Sequence, residues 1–132
     1  IRILSPNLDP SVFNTDDLTN AVSALARHTR QTEVRILVSD TRMLFRSSHR
    51  LLALARRLPS SVPLRSLKEH PDWNGETVVI RDHDGLLYRH GKDHSGGFYE
   101  PGSRVATQRH LEFFDVLWRL SAEDPELRSM RL

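Results

Sequence analysis

Strands that alternate with helices and then give way to a hairpin predict one α/β domain, with a mixed, mostly parallel sheet flanked by helices. Residues 33–40 (EVRILVSD) place apolar side chains at alternate positions, as a buried strand does. Residues 41–58 have a helical period and end before a proline. Residues 77–81 and 86–89 are apolar runs on either side of an Asp-Gly pair, which is typical of a β-hairpin.

The remaining elements are predicted from caps, breakers and periodicity. They are a strand at 1–4, a helix that Asn14 or Thr15 caps and that ends near Arg30, a short strand at 62–68, a long loop at 91–103, a helix at 106–120 and a final turn from Pro125 to Met130. Pro63 suits the edge of a sheet because proline cannot donate to a ladder. This order predicts that the first three strands are parallel.

The composition is that of one ordinary soluble domain. The chain has 132 residues, 38% hydrophobic residues, a net charge of +2 and no cysteine. The absence of cysteine excludes disulfides, thiol nucleophiles and thiolate metal sites. No apolar run approaches the roughly 20 residues of a membrane-spanning helix, and we expect no membrane partner and a cytoplasmic location. Because the sequence opens at Ile1 without an initiator Met, we expect residues 1–132 to be the C-terminal part of a longer protein that has a further N-terminal domain.

Arginine supplies 17 of the 19 basic residues, and no acid lies between Asp40 and Glu69. A GC-rich genome explains such a bias, but arginine is also the better ligand for phosphate. On the helix predicted at 41–58 the basic side chains share one face, which is either a solvent face paired with acids elsewhere or a surface for nucleic acid or another phosphate-bearing ligand. The predicted ligand-binding residues are Arg42, Arg46, His49, Arg50 and Arg57, extended by Arg65, Arg81 and Arg89.

Seven histidines suggest metal or acid-base chemistry. His83, His90 and His94 lack a metal-ligand spacing, so no metal site and no cofactor are predicted. His49 and Asp82 are weak catalytic candidates, because general acid-base chemistry would require the two side chains to meet in a cleft. In the glycine-rich loop, Phe98 and Tyr99 either cover the core or stack on a base.

Nearly the whole chain resembles one half of a phospholipase D-like domain. The resemblance lies in the first strand and helix, EVRILVSD, the SSHRLLALARRLPSSVPLRSL unit, the ETVVIRDHDGLLYR hairpin and the closing helix with FFDVLW. The catalytic signature of that family is His-x-Lys, four residues, then Asp. Here Asp82 matches the Asp, while Gly75 and Thr77 stand at the His and Lys positions. The resemblance therefore implies the family's topology without its catalytic residues.

The sequence is also similar to a bacterial domain that is sometimes found behind a Gcn5-related acetyltransferase domain, and this resemblance implies a role accessory to an N-terminal acetyltransferase-type domain. The missing catalytic signature and the acid-free basic stretch together predict a non-catalytic binding or regulatory domain for a phosphate-bearing ligand. Two alternatives are a phosphodiesterase-like enzyme or remnant that uses His49 and Asp82, and a scaffold that forms a homodimer as paired half-domains do.

Overall fold

The computed structural model describes residues 1–28, 32–46, 48–82, 85–89, 97–101 and 104–128. The strands are β1 (Arg2–Ser5), β2 (Arg35–Val38), β3 (Leu64–Ser66), β4 (Thr77–Arg81), β5 (Gly85–Arg89) and β6 (Gly97–Pro101). The helices are α1 (Pro10–Phe13), α2 (Asp16–His28), α3 (Arg42–Arg46), α4 (Arg50–Arg57), α5 (Arg104–Leu120) and α6 (Pro125–Arg128). Within these ranges, no helix is long and apolar enough to cross a membrane.

The six strands form one mixed sheet in the order β3-β2-β1-β4-β5-β6. β1, β2 and β3 are parallel to one another, and β4, β5 and β6 join antiparallel on the other side of β1. The predicted α/β class and mixed sheet are confirmed, and β3 lies at an edge as Pro63 indicates. The sheet is not mostly parallel, because Gly97–Pro101, predicted as loop, pairs with β5 through its backbone. The predicted final turn begins at Pro125 as expected and forms α6, and its extension to Met130 lies outside the described residues.

The sheet separates two apolar cores. On the front face, the strands pack against α1, α2, α4 and α6; the buried strand residues there are Ile3, Ile36, Val38 and Leu64. On the back face they pack against α5; the buried strand residues there are Leu4, Leu37, Val78, Ile80 and Leu86. Because side chains alternate along a strand, β2 needs apolar residues at successive positions to face both cores, which explains the continuous ILV run.

The single helix predicted at 41–58 is wrong, because the structure has two helices there. α3 ends at Arg46, Ser48 has a left-handed backbone (φ 49°), and α4 begins after His49. The His49 backbone is extended and its ring accepts a hydrogen bond from the Leu51 amide, so His49 caps α4. A cap and a left-handed residue end one helix and start another, although the apolar period continues through them.

The short helix α1 lies before the helix that Asn14 or Thr15 is predicted to cap, where no element is predicted. Asp9 caps it by accepting from the Ser11 amide, and Pro10 occupies its first turn. The sequence carries the signal for this helix, since a cap residue followed by proline is typical of a helix start.

Two phenylalanines at contrasting positions test the packing. Phe114 is 1% exposed and stacks on Trp118, whereas Phe45 is 40% exposed. We expect Phe114→Ala to lower the free energy of unfolding by about 3–5 kcal/mol, because it removes a buried ring and leaves a cavity. Phe45→Ala should change it by less than about 1 kcal/mol. Urea denaturation measures both values, and equal losses would contradict the placement of α3.

Candidate functional site

His49 lies in the core, so its predicted roles as ligand and as catalytic residue are both wrong. The side chain is 1% exposed. Its Nδ1 accepts from the Leu51 amide at 3.2 Å, which leaves Nε2 to donate to the Leu8 carbonyl at 2.9 Å. Burial, reinforced by the charge of Arg50, lowers the pKa of His49 despite the bond to Leu8. The imidazole is therefore a neutral structural group whose two nitrogens are both used.

Asp82 lies at the other end of β1 from His49. β4 runs antiparallel to β1 with Ile80 opposite Arg2, so Asp82 lies past the Arg2 end of β1. His49 is bonded to Leu8, past the Ser5 end. The length of β1, roughly 10 Å at 3.3 Å per residue, separates these ends. The pair cannot share a proton, and the left-handed backbone of Asp82 (φ 53°) fits a turn residue.

Two of the predicted ligand-binding arginines are paired with acids that precede the acid-free stretch. Arg42 binds both carboxylate oxygens of Asp40, at 3.1 and 3.0 Å, and the bonds from its side chain and backbone hold the pKa of Asp40 below its ordinary value. Arg50 makes an ion pair with Asp16 at 2.8 Å and donates to the Asn14 carbonyl at 3.0 Å. Arg50 thus joins α4 to the start of α2.

The arginines predicted on the strands are divided between the two faces of the sheet. Arg65 is on the back face, where its guanidinium lies 4.5 Å from the Trp118 ring centre and donates to the Trp118 carbonyl. Arg81 and Arg89 are on the front face, at the two ends of the β4–β5 hairpin. Arg89 binds Asp9 at 3.3 Å, whereas Arg81 is exposed beside Gly85.

α3 and α4 present what we term the arginine surface, formed by Arg42, Phe45, Arg46, Arg56 and Arg57. Arg46 and Arg57 are exposed, and neither makes an ion pair or hydrogen bond with any residue that the structure describes. Phe45 is exposed between the helices, with the Arg56 guanidinium 5.8 Å from its ring centre. Arg56 also donates to the Leu127 carbonyl at 2.8 Å. Two arginines without an ion pair to any described residue therefore lie on these two helices, and α3 also carries the exposed Phe45 ring.

Sequence reasoning missed Phe45 as a site residue. At 100° per residue, a single helix through 41–58 already places Phe45 about 20° from Arg56, at the edge of the basic face. The helical period therefore carried a signal for its exposure that the count of basic residues did not use. The histidines considered for a metal site, His83, His90 and His94, lie outside the described residues, as do the side chains of Phe98 and Tyr99.

Residues 1–130 match the family described as Domain of unknown function (DUF7931). The chain belongs to this family. A comparison with curated proteins found no match.

Among solved structures, the fold is similar to that of TrmBL2, described as an archaeal chromatin protein whose structure shows a novel mode of DNA binding. The TM-score is 0.62 at 15% sequence identity, over 93% of this chain. The likeness covers 45% of the TrmBL2 chain, so this chain spans about half the length of that structure. At this identity the likeness shows a shared fold.

The buried His49 predicts a loss of stability in mild acid. Its pKa is lower in the folded chain than the ordinary value of 6.5, so the unfolded chain binds the proton more tightly. The contribution is complete above about pH 6.5 and decreases as the pH falls below that value. His49→Asn keeps a capping side chain but cannot reach Leu8; we expect a loss of about 1–3 kcal/mol at pH 7.5 and a flatter pH profile. Urea denaturation between pH 5 and pH 8 measures both, and an unchanged profile would contradict a neutral His49.

Proposed function

We propose that this domain is a non-catalytic binding module whose arginine surface takes a phosphate-bearing partner, nucleic acid above all. The observation that carries the proposal is the pair of exposed arginines, Arg46 and Arg57, that have no ion pair with any described residue. The tests below measure whether this surface binds nucleic acid.

The distribution of acids supports this choice of surface. Asp40 and Asp16 form ion pairs with Arg42 and Arg50, whereas Arg46 and Arg57 form none with the described residues. The charge of Arg46 nevertheless helps to lower the pKa of Asp40. Free guanidiniums on neighbouring helices repel one another modestly, and a phosphate group would remove that repulsion by accepting a bidentate pair of hydrogen bonds. The exposed Arg42–Asp40 pair is weak enough in water to exchange for a phosphate.

Phe45 adds a second kind of contact. An exposed aromatic ring among arginines offers a platform on which an unpaired base can stack, and such stacking is worth roughly 1–3 kcal/mol per base. Arg56, which lies over the ring, limits that platform to one side of the phenylalanine. The surface therefore favours single-stranded nucleic acid over a duplex, whose bases are already stacked.

The fold of the DNA-binding TrmBL2 is compatible with this function. The phospholipase D-like topology, the accessory role behind an acetyltransferase-type domain, the cytoplasmic location and the homodimer remain predictions of the sequence. A phosphodiesterase built on His49 and Asp82 is not proposed, since the two side chains lie at opposite ends of β1.

Removing the two free arginines should weaken binding to nucleic acid. We expect Arg46→Ala/Arg57→Ala to lower the affinity for a fluorescent oligonucleotide by roughly tenfold, because two charge-assisted contacts are lost. The slope of log affinity against log salt should fall by about 2, one for each lost phosphate contact. Fluorescence anisotropy over a salt series measures both values.

The matched control is Arg104→Ala/Arg119→Ala, which removes the same charge from exposed positions on α5, on the other side of the sheet. It should retain nearly all of the affinity. Equal losses in the two double variants would indicate binding through net charge alone, and wild-type binding that ignores salt would exclude a phosphate contact.

Phe45→Ala separates stacking from charge. We expect it to weaken binding to single-stranded oligonucleotides by about tenfold while leaving the salt slope unchanged, because the ring makes no phosphate contact. Binding to a duplex of the same sequence is the control and should change little. A larger loss on the duplex would contradict the stacking role.

A further inference from the structure

A cavity of about 490 Å³ lies on the back face of the sheet, away from the arginine surface. Its floor is a row of side chains that the strand register places across three strands: Leu4, Val78 and Tyr88. Its roof is one side of α5, formed by Ala106, Arg109, His110 and Phe113 at helical spacing. The volume is in the range of pockets that hold small molecules.

The end wall of the cavity is a turn that its own hydrogen bonds hold in place. The ring of Trp73 is buried and donates to the Glu76 carbonyl at 3.0 Å. The Glu76 carboxylate accepts from the Asn74 amide at 3.0 Å, and the Asp72 amide donates to the His70 ring at 3.1 Å. Asp72 and Glu76 line the cavity. Hydrogen bonds of the Asp72 amide and the Glu76 carbonyl therefore hold the backbone at these two residues in place.

The charges of the cavity are separated. Asp72 and Glu76 belong to the end wall, and Arg109 belongs to the roof. No ion pair joins Arg109 to either carboxylate within the described part of the chain. Burial raises the pKa of Tyr88, and the Glu76 carboxylate adds to this, so the phenol remains protonated. The cavity thus holds an acidic end, a basic group and an apolar floor.

We infer that this cavity binds a small zwitterion, an α-amino acid with an apolar side chain. Its ammonium group would face Asp72 and Glu76, and its carboxylate would face Arg109. The side chain would lie on Leu4, Val78 and Phe113. Each charged group of the cavity then receives a partner of opposite sign, and the apolar floor is covered.

Other ligands fit these groups less well. An anion such as a phosphate would approach two carboxylates, and a simple amine would leave Arg109 without a partner. A nucleic-acid backbone is excluded from this cavity by the same repulsion, so the inference is independent of the function proposed for the arginine surface.

The test compares ligands that differ by one charged group. L-Leucine and L-phenylalanine are the zwitterionic probes, isoamylamine lacks the carboxylate of leucine, and isocaproate lacks its amine. We expect the wild-type chain to bind at least one amino acid about tenfold or more tightly than isoamylamine or isocaproate, because each analogue loses one ion pair. Isothermal titration calorimetry measures the affinities.

Variants of the cavity identify the partner of each ligand group. Arg109→Gln should weaken amino-acid binding by about tenfold and leave isoamylamine unaffected, whereas Glu76→Gln should weaken both. Arg119→Gln, at an exposed position of the same helix outside this cavity, is the matched control and should bind as the wild type does.

The inference is overturned if the wild-type chain binds neither amino acid at millimolar concentration. Equal affinity for leucine and isoamylamine would overturn it, as would equal losses in Arg109→Gln and Arg119→Gln. Tighter binding of an uncharged polyol such as sorbitol than of either amino acid would also overturn it, since a polyol uses hydrogen bonds without opposite charges.

Discussion

The hydrogen bond between His49 and Leu8 determines how the helices meet the sheet. Leu8 is buried with a left-handed backbone (φ 52°), a conformation that costs a residue other than glycine about 1–2 kcal/mol. Its amide is held by the Ser5 hydroxyl at 3.0 Å and its carbonyl by His49 at 2.9 Å. The same imidazole caps α4 through the Leu51 amide. One buried ring thus fixes both the loop after β1 and the start of α4, because neither backbone group can reach water.

That constraint explains why the predicted arginine face does not exist as one stripe. A continuous helix through 41–58 aligns its basic residues by period alone, whereas the break at His49 gives α3 and α4 separate axes. Arg50 follows the cap and is drawn to Asp16 and Asn14, so it links helices instead of facing a ligand. Arg46 and Phe45 lie on α3, before the break, and are exposed. The proposed arginine surface is therefore divided between two short helices.

The sequence was a better guide to the elements than to the contacts between them. Local sequence signals predict three elements that the structure confirms. They are the hairpin around Asp82 and Gly85, the ILV strand and the helix with FFDVLW, whose apolar residues pack into the two cores. β6 carries no such signal, because backbone pairing to β5 forms it. The sequence around His49 fits both a buried helix cap and an exposed residue. His49 is buried because its ring bonds to the Leu8 carbonyl, and Leu8 is distant in the sequence. The cavity under α5 was unpredictable for the same reason: its acids and its arginine come from distant segments.

The near-neutral net charge of +2 gives little information about binding, since function depends on which charges are paired. The acid-free stretch contains seven basic residues, but Asp40 and Asp16 form ion pairs with two of them, Arg42 and Arg50. A third, Arg65, lies against the Trp118 ring on the back face of the sheet. Of the basic residues on α3 and α4, Arg46 and Arg57 remain without an ion pair to a described residue. The cavity on the back face is lined by two carboxylates and an arginine that form no ion pair with one another. The ligand proposed for the arginine surface carries only negative charges, whereas the ligand proposed for the cavity carries two opposite charges. The total charge of the chain gives no information about this difference, because it sums the two faces of the sheet.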